Sequence, residues 1–194
     1  MPHDHGRVVD EAFADTIHLH ERVGREGRAA IVQVAEALSK ALAGGRKVLV
    51  FGNGGSAADS QHFSAELVGR FARDRRALPA IALSTDTSVL TSISNDYGYD
   101  RVFVRQIEAL GQAGDVAIGI STSGRSTNVL AALASARAGG LMTVALTGGD
   151  GGPVGRAADL HVNAPGPTAR AQEVHRTILH VICEIVERDL ADGT

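Results

Sequence analysis

The stretch Lys47-Val48-Leu49-Val50-Phe51-Gly52-Asn53-Gly54-Gly55-Ser56 decides how the rest of the chain is read. A short, mainly apolar run ends abruptly in glycines, and a helical stretch, Ser56–Phe71, follows at once. A run without polar alternation is what a strand buried on both faces of a parallel sheet looks like. The same kind of run recurs at Pro79–Leu83, Asp115–Ile120, Met142–Thr147 and Asp159–Val162, the last interrupted by His161. Helical stretches lie between them, clearest at Arg101–Leu110 and Thr127–Ala138. A final amphipathic helix, Thr168–Leu190, carries Val174, Ile178, Ile182 and Ile185. Right-handed crossovers then make a three-layer α/β sandwich around a five-stranded parallel sheet the economical fold.

Upstream of Lys47 the chain reads as helix. Val8, Phe13, Ile17 and Val23 outline one apolar face, and Ile31, Val34, Leu38 and Leu42 a stronger one over Arg28–Ala43, stopped by Gly44-Gly45. Two helices before any strand need something to cover them, and another subunit is one candidate. No internal repeat or dividing linker is visible, so residues 1–194 read as one domain, with 1–45 as N-terminal helices used in oligomerisation.

Composition removes several classes of function. No window approaches the roughly 18 apolar residues of a membrane span, and the opening residues lack the basic and apolar regions of a secretory signal. Nineteen Lys and Arg against 22 Asp and Glu leave a net charge of −3, with no basic block for nucleic acid. Cys183 is the single cysteine, which excludes an intrachain disulfide and makes the cytoplasm the expected location. Glycine is enriched, at 23 residues, and many glycines fall where strands should end, which points to ligand loops.

In open α/β sheets ligands bind beyond the carboxyl ends of the strands. Two loops occupy such ends. Gly52-Asn53-Gly54-Gly55-Ser56 follows the first strand, where absent Cβ atoms admit a ligand close to the backbone. Ser121-Thr122-Ser123-Gly124-Arg125-Ser126 follows the third and opens a helix, combining four hydroxyls with a helix N-terminus suited to a phosphate monoester. Neither contains the Gly-Lys-Ser/Thr of a nucleotide P-loop. The second strand ends in Leu83-Ser84-Thr85, without the acidic residue that holds a dinucleotide ribose, so a phosphorylated small molecule is favoured. His62 and Glu66 stand four apart and share a helix face. Gln172, His175 and His180 lie on the last helix. By spacing alone His62 and Glu66 suit a solvated surface pair, and His175 a surface or packing residue. His3, His5, His18, His20 and His161 follow no interpretable spacing.

The run Gly52-Asn53-Gly54-Gly55-Ser56-Ala57-Ala58-Asp59-Ser60-Gln61-His62-Phe63-Ser64-Ala65-Glu66 resembles the sugar-isomerase (SIS) domain family, and within it the phosphoheptose isomerases. Ser94 to Gly98, Ser121 to Ser126, Thr147-Gly148 with Gly151-Gly152, and Arg170 to His180 extend the likeness over nearly the whole chain. The resemblance implies a flavodoxin-like topology and an aldose–ketose isomerase. The reaction implied interconverts sedoheptulose 7-phosphate and D-glycero-D-manno-heptose 7-phosphate through a cis-enediol. It implies His62, Glu66, Gln172 and His180 as ligands of one zinc per subunit, with Glu66 and His180 also as the acid/base pair. Asn53, Gly54, Gly55, Ser56, Glu66, Asn95, Asp96 and Gln172 map onto sugar contacts, and Ser121, Thr122, Ser123 and Ser126 onto the phosphate cradle. It further implies a homotetramer with sites shared between subunits. The rivals are a non-catalytic SIS scaffold of the initiator-associating type and an isomerase of another phosphosugar. Spacing adds one constraint: Gln172 and His180 are eight residues apart, about 12 Å along a continuous helix. Either Gln172 precedes the regular helix, or a second subunit completes the site.

Overall fold

The computed structural model describes residues 4–191, so residues 1–3 (with His3) and 192–194 lie outside the described residues. Strands β1 (Val48–Gly52), β2 (Ala80–Ala82), β3 (Val116–Ser121), β4 (Met142–Gly148) and β5 (Leu160–Ala164) form one parallel sheet in the order β2-β1-β3-β4-β5. Val48 and Val50 of β1, Val116 and Ile118 of β3 and Val144 and Leu146 of β4 face one core. Leu49, Phe51, Ala117 and Ala145 face the other. Both faces are dry, which is why these strands show no polar alternation.

Helices α1 (His5–Glu26), α2 (Arg28–Ala43), α3 (Gly55–Val68) and α8 (Thr168–Ala191) cover the first face. On the other lie α4 (Thr87–Tyr97), a 3-10 turn Tyr99–Arg101, α5 (Val102–Leu110), α6 (Thr127–Ala138) and α7 (Gly152–Ala157). The order of strand addition switches sides between β1 and β3: from β1 the chain goes outward to β2, then crosses back to β3. The β1 and β3 loops therefore flank the point where strand order switches. Among the described residues, no helix is long and apolar enough to cross a membrane.

Three features depart from the sequence expectations. The apolar residues of α1 divide: Leu19 and Val23 pack inward, whereas Val8, Val9, Phe13 and Ile17 are 54–68% exposed. Helix α4 went unread because its Thr, Ser and Asn content gives little helical signal and none of its residues is buried. It is fixed at its ends, where the Asp86 side chain accepts from Val89 N at 3.0 Å and Gly98 turns out of the helix at φ +85°. Helix α7 has six residues, three of them Gly or Pro, too few for periodicity.

Candidate active site

Helices α3 and α8 follow parallel strands on the same face and run side by side in the same direction. Their contacts pair in register: Gly55 with Gln172, Asp59 with Arg176 at 3.0 Å, and His62 with His180 at 2.8 Å. The register brings together groups more than a hundred residues apart. His62 Nε2 lies 3.2 Å from Glu66 Oε1, and the ligand atoms of His62, Glu66 and His180 all fall within 4.8 Å of one another. His62 is exposed, and Glu66 and His180 are half-buried. Two imidazole nitrogens facing each other can share one proton or turn both lone pairs on a cation. With a carboxylate beside them, the donor set fits zinc held by three protein ligands with one position open.

Gln172 lies on the same helix as His180. Helix α8 begins at Thr168, so Gln172 is already inside the regular helix and does not precede it. It sits about 12 Å up the axis from His180, its carboxamide laid on Gly55, where a Cβ would come within 2.3 Å of Nε2. A cleft of about 480 Å³ joins the two levels and is lined by His20, Gln172, Glu173, Arg176, Thr177 and His180. His20 had no readable spacing. It reaches the cleft because α1 packs on α8: Nδ1–H donates to Thr16 O at 2.8 Å, and Nε2 lies 2.9 Å from Thr177 Oγ1.

The β3 loop gathers its serine hydroxyls around Ser121. Ser121 Oγ lies 3.0 Å from Ser126 Oγ and 3.4 Å from Ser123 Oγ, and Arg125 N donates to Ser123 Oγ at 3.2 Å. Ser126 stands at the N-cap of α6 without capping it, because its hydroxyl turns towards Ser121. Behind the loop, Gly124 (φ +64°) presses on the Gly151 carbonyl, where a Cβ would stand at 2.4 Å, and Val154 N donates to Gly124 O. The β4 loop thus buttresses the β3 loop, which accounts for Gly152, where a Cβ would stand 2.3 Å from Gly124 O; at Gly151 a Cβ would instead meet the His161 ring.

Asn53 is half-buried beside the exposed Gly54 and Gly55 and the buried Ser56. Asn95 and Asp96 lie near the end of α4. Asn95 Nδ2 donates to Asp96 Oδ1, and Asp96 lines a separate, largely apolar cavity of about 620 Å³ with Ile81, Ile93, Tyr97 and Arg105. From this segment it is Tyr99 whose hydroxyl reaches Asn53, at 3.2 Å. His175 is fully buried and donates Nε2–H to Thr147 O at 2.9 Å. Burial pushes its pKa down, against smaller opposing pulls from the Thr147 carbonyl and the Asp59 charge. It therefore braces α8 against the end of β4.

Phe71 packs on the His180 ring, with centroids 5.5 Å apart. The segment carrying Phe71 is clamped by the buried Glu187 of α8, which accepts from the backbone N–H groups of Phe71, Ala72 and Arg73 at 2.7, 2.9 and 3.0 Å. Arg75 lies 3.3 Å from the same carboxylate and donates to the carbonyls of Glu66, Leu67 and Gly69. Neither Phe71 nor Glu187 carries a motif that spacing would flag.

A SIS domain matches residues 13–148. The chain is 55% identical over 184 residues to the phosphoheptose isomerase of Roseiflexus sp. (strain RS-1), covering 94% of this chain and 93% of that one. It superposes on the phosphoheptose isomerase of Neisseria gonorrhoeae with a TM-score of 0.89 and 43% identity, over 94% of this chain and 98% of that one. The corresponding enzyme of Francisella tularensis gives 0.90 and 34%, covering 96% and 100%. With the five-stranded parallel sheet and this conserved span, the chain belongs to the phosphoheptose isomerases of the SIS-domain family.

Proposed function

We propose that this chain interconverts sedoheptulose 7-phosphate and D-glycero-D-manno-heptose 7-phosphate at the cleft between the glycine loop, the β3 loop and the α3–α8 seam. The observation that carries the reading is the meeting of His62, Glu66 and His180 across that seam in a chain of this family. The Ser121–Ser126 loop and the α6 N-terminus hold the phosphate. Glu66 takes the proton from the carbon beside the carbonyl, and the electron pair left behind forms the C=C of a cis-enediol. His180 moves a proton between the two oxygens, and Glu66 returns its proton to the neighbouring carbon. Atoms and charge balance without a co-substrate. His62, Glu66 and His180 would hold one zinc per subunit, which would supply Lewis-acid polarisation of the carbonyl oxygen. Glu66→Gln should lower turnover by orders of magnitude while the fold is kept, and a near wild-type rate would remove Glu66 from the chemistry.

The same reading includes a cytoplasmic homotetramer with shared sites. Support comes from the stripe Val9, Phe13 and Ile17 on α1, which the chain itself leaves exposed. Each such side chain gains about 1.5–3 kcal/mol on burial. The two-turn gap between Gln172 and the histidine cluster also suits a fourth ligand donated by a neighbouring subunit. Phe13→Asp should dissociate the assembly in sedimentation, whereas a wild-type chain that sediments as a monomer would contradict a shared site.

A further inference from the structure

Asn53, at the start of the glycine loop, has most of its carboxamide already committed. Asn128 Nδ2 donates to Asn53 Oδ1 at 2.9 Å, and Asn53 Nδ2 donates to Asn128 Oδ1 at 2.9 Å. Such a reciprocal amide pair is ambiguous on its own, since flipping both groups keeps both bonds. One further donor removes the ambiguity. The backbone N–H of Val129 can only donate, and it donates to Asn128 Oδ1 at 2.9 Å, which fixes the oxygen side of Asn128. Asn53 must then turn its nitrogen to that oxygen. The Tyr99 hydroxyl donates to Asn53 Oδ1 at 3.2 Å. Asn128 is 3% exposed, so water offers no competing partner.

The remaining capacity follows from counting. Asn53 Oδ1 has two lone pairs and holds two donors, while Asn53 Nδ2 has two N–H groups and uses one. What is left to a ligand is a single N–H. We propose that Asn128 is a positioning residue that locks the Asn53 carboxamide as a hydrogen-bond donor to an oxygen of the bound phosphosugar, with Tyr99 holding the acceptor side closed. This rests on the reading of Asn53 as a substrate contact. The arrangement also links three segments. Asn128 stands in the first turn of α6, rooted in the β3 loop, and Thr127 Oγ1 beside it donates to Asp100 in the turn that carries Tyr99. Asn53 stands at the end of β1. Binding of the phosphate and orientation of the sugar donor are therefore built on one hydrogen-bonded frame.

The test is a kinetic cycle with sedoheptulose 7-phosphate on Asn53→Ala, Asn128→Asp and the double variant. Asn128→Asp keeps the volume and the oxygen facing Val129 N–H but removes the donor to Asn53 Oδ1. Asn53→Ala and Asn128→Asp should each raise KM about fivefold to tenfold with a smaller change in kcat. The double variant should be no worse than Asn53→Ala alone, because Asn128 acts through Asn53. If Asn128→Asp misfolds, Asn128→Ala takes its place in the cycle. Effects that multiply in the double variant, or a wild-type KM for the Asn128 variant beside an impaired Asn53→Ala, would overturn the positioning role alone. A wild-type KM for Asn53→Ala would instead remove Asn53 as a substrate contact, and the positioning role with it.

Discussion

Replacing Glu187 with Gln probes how the segment beside His180 is held. The native carboxylate accepts three backbone N–H groups and faces the Arg75 guanidinium, and the two side chains are 2% and 3% exposed. Burial alone would raise the Glu187 pKa, but the N–H groups and Arg75 outweigh it and hold the carboxyl below its usual value. Gln presents an NH2 where one oxygen stood, so at least one of the three N–H groups faces a donor, and the Arg75 cation loses its counter-charge. Breaking a buried pair from one side costs about 3–5 kcal/mol. For a chain of this size each kcal/mol moves Tm by roughly 2–4 °C, so a fall of roughly 10 °C is expected in calorimetry. The Phe71, Ala72 and Arg73 amides should lose hydrogen-exchange protection ahead of the sheet. The native pair also has a pH signature. Because the folded pKa is depressed, its stabilisation is complete above the unfolded value of about 4.3 and disappears as pH falls through the folded one. The Glu187→Gln variant should lack that part of the acid sensitivity. A Tm within about 2 °C of wild type, with the three amides still protected, would refute the clamp.

Three further outcomes follow from the site. Gly55→Ala places a Cβ within 2.6 Å of the flexible Gln172 carboxamide, so it should leave Tm nearly unchanged while raising KM; a normal KM would show that Gln172 does not touch substrate. Gly124→Ala meets the Gly151 backbone at a φ of +64° and has no such escape, so a loss of about 2 kcal/mol or more is expected in denaturant unfolding. Burial, with the Glu66 charge nearby, pushes the Cys183 thiol up to about 12, so iodoacetamide at pH 8 should label it only in unfolded protein, which intact-mass measurement reads directly.

Much of the architecture was legible because buried parallel strands are dry on both faces, and Lys47–Phe51 or Met142–Thr147 announce that without help from distant residues. Helix α4 was not, since its boundaries rest on Asp86 and Gly98 and its interior on almost no burial. The site divides along the same line. His62 and Glu66 share a helix face by spacing, but their meeting with His180 depends on the register of α3 against α8, a tertiary property. The rise of α8 sets Gln172 two turns from His180, and the packing of α1 on α8 brings His20 into the cleft they share. Asp96 lines a cavity with Ile81 of β2 and Arg105 of α5, a placement set by α4, the helix the sequence signals least. Asn128 was overlooked because its partner, Asn53, is 75 residues away in the chain.

The decisive measurement is the isomerisation of sedoheptulose 7-phosphate by purified protein, loaded with zinc and again after chelation. Aldose product that falls away on chelation and returns with zinc is the expected result. A folded protein that binds the phosphosugar yet forms no aldose in either state would contradict the assignment of His62, Glu66 and His180 as its chemical centre.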